Sequence, residues 1–229
     1  MNILMVLTSH SELGNTGLKT GFWIEEFAAP YYVFQDAGAL VMIASPKGGL
    51  PPIDPKSELP ENHTKASLRY NADSKLKTQL NYTHKLATMR ATDFDAVFYP
   101  GGHGPLWDLT GDTDSIKLIE SFWSCRKPVA AVCHAPAALL NAKNILGQPI
   151  LNECNVTGFS NSEEKAVELN EIVPFLLEDE LKKKGGIYSK KEDWEPNVVV
   201  DGLLVTGQNP ASSEMAALEL IKILKSFTV

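Results

Sequence analysis

Short apolar runs rich in β-branched residues recur along this chain, and a helical pattern separates each from the next. That alternation restricts the fold more than any other feature. The segments NILMVLT (2–8), ALVMIAS (39–45), DAVFYPGG (95–102), PVAAVC (128–133) and NVTGF (155–159) read as strands. Between them, IEEFAAPYYVFQDAG (24–38) sets Ile24, Phe27, Ala28, Tyr31 and Phe34 at helical spacing, with Gly38 as a stop. SIKLIESFWSC (115–125), APAALLNAK (135–143) and VPFLLEDELKKKGG (173–186) also read as helices. The third ends with Lys182, Lys183 and Lys184 at the negative end of its dipole and Gly185 at C′. NVVVDGLLVTG (197–207) reads as a hairpin about an Asp-Gly turn, and a last helix opens with Asn209 as N-cap and Pro210 at N1.

Strands that alternate with helices predict an α/β three-layer sandwich: a mostly parallel central sheet flanked by helices. The length of 229 residues suits one domain, spanning 1–229. The Pro- and Gly-rich stretch 46–65 reads as an excursion from the sheet, because sheet elements continue beyond it. In such folds ligands bind outside the carboxyl ends of the strands, so the residues just after each strand are the candidates for chemistry.

Cys133 is the strongest of these. In AVCHA (131–135) a small residue stands two before and two after the cysteine, as in a nucleophile elbow. Pro136 suits the first turn of a following helix, whose positive end would favour thiolate over thiol. His134 follows directly. Neighbours on a turn seldom point at each other, so an orienting acid from another strand end is expected, and the His134 N–H is an oxyanion donor by position. PGGHG (100–104) brings backbone close to a ligand, making Gly101, Gly102 and His103 candidate oxyanion or substrate-binding positions. Glu26 lies four residues before Pro30, whose missing N–H predicts either a bend or a helix start just after Glu26, at an irregular, open spot. Neither Glu25 nor Glu26 falls on the apolar face.

The net charge of −7 argues against nucleic acid and against an anionic membrane surface as partners. The N-terminal apolar run is too short for a span and lacks a basic leader. Three cysteines without metal spacing suggest a reducing cytoplasm, with Cys125 and Cys154 structural. The five histidines show no i, i+4 pair, so no metal site and no cofactor are expected.

Taken together, GFWIEEFAAPY (21–31), YPGGHGPLWDL (99–109), AAVCHAPAALL (130–140), VTGFSNSEE (156–164) and DGLLVTGQNPASS (201–213) resemble the ThiJ/PfpI superfamily, which has the flavodoxin-like, class I glutamine amidotransferase-like fold. The subgroup it is most similar to is the heat-shock-chaperone-like one, some of whose members are described as glyoxalase III or protein deglycase enzymes. The resemblance implies Cys133 as nucleophile, His134 beside it, Glu26 contacting the cysteine, and an acid just after the TGF run as the third triad member. Glu164 matches that position best, with Glu163 as the alternative. It implies oxyanion donors at Gly102 and His134, a homodimer, and a stress role. Many relatives have glycine after the histidine where this chain has Ala135.

The expected reaction is a cofactor-independent conversion of methylglyoxal or a related 2-oxoaldehyde to a 2-hydroxy acid. The substrate could also be a glycated protein. Two alternatives use the same residues differently: a cysteine peptidase or amidase of the PfpI type, and a holdase chaperone for unfolded protein or redox sensor with an oxidisable Cys133.

Overall fold

Alternate residues of the strands face opposite ways, and both faces are apolar, so both must be covered. The computed structural model describes residues 1–227. Its main sheet comprises β1 (Asn2–Val6), β2 (Leu40–Ser45), β3 (His84–Lys85), β4 (Ala96–Tyr99), β5 (Val129–Val132), β8 (Val198–Asp201) and β9 (Leu204–Gly207), in the order β3-β2-β1-β4-β5-β9-β8. All neighbours are parallel except β8 and β9, which form the antiparallel hairpin expected from the Asp-Gly turn.

Each face carries its own core. Ile3, Met5, Phe98, Ala130 and Val132 pack under α1 (Ile24–Asp36) and α7 (Ser213–Ser226), with α2 (Lys65–Ala72) and α3 (Ser74–Leu80) at the edge. Leu4, Val6, Val97, Tyr99, Val129 and Ala131 pack under α4 (Thr113–Ser124) and α6 (Leu177–Lys183). The three layers of an α/β sandwich are therefore present. No helix among the described residues is long and apolar enough to cross a membrane.

Four readings change. The 155–159 run contributes only β6 (Asn155–Val156), which pairs with β7 (Ile187–Tyr188) in a separate two-stranded sheet. The segment after Cys133 is a 3₁₀ turn over Ala135–Leu139 rather than a helix to 143, since Asn141 and Gly147 end any regular winding. Asn209 and Pro210 cap a 3₁₀ turn, Pro210–Ser212, ahead of α7. Helix α1 begins at Ile24, before Glu26, and carries Pro30 within it.

The 46–65 excursion is tied back to the body. Phe22 N–H donates to Pro52 and Asp54 N–H to Phe22, at 2.9 Å each, and the Thr64 hydroxyl donates to Glu25. These ties hold it over the carboxyl ends of β1, β4 and β5.

Candidate active site

Cys133 stands at the end of β5 with φ +59°, a left-handed conformation that costs a non-glycine residue about 1 kcal/mol or more. Two backbone bonds hold it there: Cys133 N–H donates to Gly207 at 2.9 Å, and Phe159 N–H donates to the Cys133 carbonyl at 2.8 Å. Ala131 and Ala135 are fully buried on either side, so larger side chains at those positions have no room. The result is the strained strand-to-turn geometry expected of an elbow.

His134 does turn towards its neighbour: its Nδ1 lies 3.3 Å from the Cys133 sulfur. The opposite ring nitrogen, Nε2, meets Glu164 Oε2 at 2.7 Å. The other Glu164 oxygen, Oε1, meets His103 Nε2 at 2.9 Å. One carboxylate therefore serves two imidazoles, whose ring centroids are 4.0 Å apart. Burial alone would raise the Glu164 carboxyl, but the histidines outweigh it and hold the group well below the ordinary carboxylate range. An anionic Glu164 only accepts, so both Nε2 atoms carry the hydrogen and His134 Nδ1 is left as a base facing the thiol. Burial, followed by the neighbouring His103 imidazole, pushes protonation of His134 below the usual histidine range.

Glu163 is fully buried too, but its bonds are spent elsewhere. It accepts from Ser160 N–H and hydroxyl, from Trp194 N–H at 3.0 Å and from Asn209 Nδ2 at 2.9 Å. Ser160 and Glu163 form a reciprocal capping box at the start of α5 (Asn161–Ala166). The S-x-x-E pattern of that box is legible in the sequence and would have freed Glu164 for the site.

Glu26 is buried completely, not at an open spot. The N–H of Gly101 donates to its Oε2 at 2.8 Å. Its Oε1 has no nitrogen or oxygen partner among the described residues and is left to the Cys133 thiol. Burial pushes the Glu26 carboxyl up to about 8, against the hydrogen bonds from Cys133 and Gly101. Glu26 therefore carries a proton at neutral pH. The Cys133 thiol is pushed well above its usual range, first by burial and then by Glu26, with the Gly102 N–H working in the opposite direction. The resting group is a thiol, contrary to the expected thiolate. The five-residue 3₁₀ turn behind it offers too little dipole to offset the lost hydration.

The glycines explain why Glu26 and Cys133 can meet. A Cβ on Gly101 would come 2.5 Å from Glu26 Oε2 and 2.7 Å from the Val132 carbonyl, and one on Gly102 would come 2.3 Å from the Gly21 carbonyl. Gly101 cannot serve as an oxyanion donor, because its N–H is committed to Glu26. The Gly102 N–H is directed at the Cys133 sulfur, and neither it nor the His134 N–H has a backbone or side-chain oxygen partner among the described residues, so both face the place where an oxyanion on a sulfur-bound carbon would form.

These residues floor a half-open cavity of about 700 Å³. Its walls include Trp23, Leu59, His63, Phe159 and Trp194, so the 46–65 excursion supplies one side. Phe159 lies 4.2 Å from the His134 ring and 5.9 Å from the Trp194 ring. Sequence reading missed Trp194, whose φ of +69° no local signal marks, and the His103 side chain. The fold also gathers what histidine spacing did not show: the ligand atoms of His103, His134 and Glu164 lie within 4.8 Å of one another. Both carboxylate oxygens there are engaged by the histidines, so hydrogen bonds account for the whole group.

The model of the DJ-1/PfpI family matches residues 18–223. Glyoxalase 3 of Candida albicans is 29% identical over 96% of this chain and 97% of that protein. The crystal structure of glyoxalase III from the same organism superposes with a TM-score of 0.90 at 28% identity, covering 97% of each chain. The Rapid Encystment Protein 24 KDa of Francisella tularensis gives a TM-score of 0.93 at 37% identity, covering 97% of this chain and 98% of that one.

Proposed function

The chain belongs to the DJ-1/PfpI family, and on that premise we propose that it is a cofactor-independent glyoxalase III-type enzyme that converts methylglyoxal or related 2-oxoaldehydes to 2-hydroxy acids. The observation that carries this reading is the pair of proton holders around one sulfur: His134 Nδ1 at 3.3 Å on one side and a protonated, buried Glu26 on the other. An acyl-transfer nucleophile needs a base, an oxyanion hole and one acid for its leaving group, which His134 serves once it has taken the thiol proton, so it does not need a second acid held protonated beside the sulfur. An internal redox isomerisation does.

The Cys133 sulfur adds to the aldehyde carbon, C1, as Glu26 helps move the thiol proton to the aldehyde oxygen. Gly102 and His134 N–H groups stabilise the developing charge. His134 takes the hydrogen from C1 to form an enediol and returns it to C2. The thioester that results is cleaved by water, releasing the 2-hydroxy acid and restoring the thiol. Purified protein with methylglyoxal, without glutathione, tests this. Lactate forms with wild type and is lost with Cys133→Ala and Glu26→Gln. Equal turnover in wild type and Cys133→Ala refutes it.

A second set of substrates has its own support. About 700 Å³ is a volume suited to a drug-sized ligand, well beyond a three-carbon aldehyde. Aldehyde adducts on amino acids or peptides fit that space, and release of free amine from a glycated peptide tests it. We further propose a homodimer in a reducing cytoplasm. The apolar face of α1 is already covered by α2 and α7, so any dimer contact there uses its polar edge. Light scattering gives the mass.

A further inference from the structure

We infer that the His103 side chain is a second acid–base group of this site, which relays a proton through Nδ1 from the C1 hydroxyl to the carbonyl oxygen on C2. The inference rests on the glyoxalase reading. It fills the one transfer that Cys133, His134 and Glu26 leave unassigned.

Three observations place the group. His103 Nε2 is committed to Glu164 at 2.9 Å, while its Nδ1 has no hydrogen-bond partner among the described residues. The residue lines the cavity and keeps 9% of its surface exposed, against 1% for His134. Its ring lies 4.0 Å from the His134 ring, so the two imidazoles address neighbouring atoms of a substrate held on Cys133. Glu26 is already committed, since its Oε2 accepts from the Gly101 N–H at 2.8 Å and its Oε1 is left to the Cys133 thiol.

The fork also decides where a proton goes. Glu164 stays anionic, and burial keeps charge off His134. Once the hemithioacetal has formed, His134 Nδ1 takes the hydrogen from C1. That electron pair becomes the C1=C2 bond and the C2=O π pair moves to its oxygen, while the lone pair on His103 Nδ1 takes the C1 hydroxyl proton and delivers it to that oxygen. In the return half, His134 gives its proton to C2, the C1 oxyanion pair forms C1=O, and both imidazoles end as they began, with hydrogen on Nε2 and a free Nδ1. Atoms, charges and electrons balance, with no oxidant or reductant.

A merely structural His103 would order the fork and nothing more, so the test separates addition from isomerisation. Propanal can form the hemithioacetal with Cys133 but has no C2 carbonyl, and it is read as a competitive inhibitor. His103→Gln keeps a donor for Glu164 and removes the relay. The expected result is a fall in kcat on methylglyoxal of about 10²-fold or more, with propanal inhibition and the alkylation rate of Cys133 unchanged. His103→Asn, read by the same ratio, serves if the glutamine variant does not fold. Unchanged kcat in an active enzyme overturns the role of His103 alone. Parallel loss of turnover and propanal inhibition assigns His103 to structure and also overturns it. Wild type that turns over no 2-oxoaldehyde overturns the glyoxalase reading and this inference together.

Discussion

Glu26 is kept in the site at a cost that a single substitution should expose. Its carboxyl moves from 4.5 to about 8 on folding because it is buried completely. Every tenfold gain in proton affinity corresponds to about 1.4 kcal/mol. A raised carboxyl binds its proton more tightly in the folded state, so folding takes up a proton between these two values. The stability that Glu26 allows is complete below about pH 4.5 and declines as pH rises towards 8. The loss reaches about 3 kcal/mol at pH 7 and about 5 kcal/mol above pH 8. Glu26→Gln never ionises. Its carbonyl can still accept from Gly101, and its amide can donate to the sulfur. Urea denaturation of both proteins at half-unit steps from pH 5 to 8.5 gives the difference directly. The variant should gain on wild type by several kcal/mol across that range while losing turnover. A difference that stays constant with pH, or that moves in favour of wild type as pH rises, refutes the argument that Glu26 is held protonated by burial.

Four further outcomes follow from the same geometry. Glu164→Gln removes the anion between the two imidazoles and turns an N–H₂ on one Nε2–H, so it should lower kcat by about 10²-fold or more and lower Tm as well, while Glu163→Ala strands buried donors outside the fork and should cost about 3 kcal/mol of stability by denaturation. Gly101→Ala puts a Cβ 2.5 Å from Glu26 Oε2, so turnover should fall sharply in a protein whose far-UV spectrum is unchanged. Iodoacetamide should alkylate Cys133 slowly at pH 7 and faster with each step to pH 9, since its thiol lies above the usual range; a plateau below pH 7 contradicts this.

The strands and the elbow were legible because each rests on local pattern: short, fully apolar runs in β1, β4 and β5, and small residues about Cys133. The excursion was legible as irregular, but α2 and α3 within 65–80 were not expected, because LRYNADSKLKTQL has a weak apolar face and its caps, Thr64 and Asp73, act through side-chain bonds. The Glu25 and Glu26 ambiguity could not be resolved from periodicity. Glu26 is buried without being apolar, and what accepts it is a glycine backbone 75 residues away. His134 facing Cys133 was missed for a similar reason. The fork that turns its ring joins residues 103, 134 and 164, a contact set by the sheet order and not by spacing. The thiolate expectation failed because burial and the neighbouring Glu26, neither visible in the local pattern, both oppose charge on the sulfur, and a 3₁₀ turn stands where a helix was expected.

The excursion is tied to Phe22 at Pro52 and Asp54 and to Glu25 at Thr64, and the nucleophile, its base and the fork all come from other segments. Selectivity and reactivity are thus written on different stretches of the chain. Insertions, deletions or substitutions between the ties can redraw the wall that meets the rest of the substrate while the atoms around the sulfur keep their places. A lineage carrying this scaffold has a region in which it can change what it accepts without relearning how to react, and grafting that stretch between relatives is the natural way to exchange their preferences.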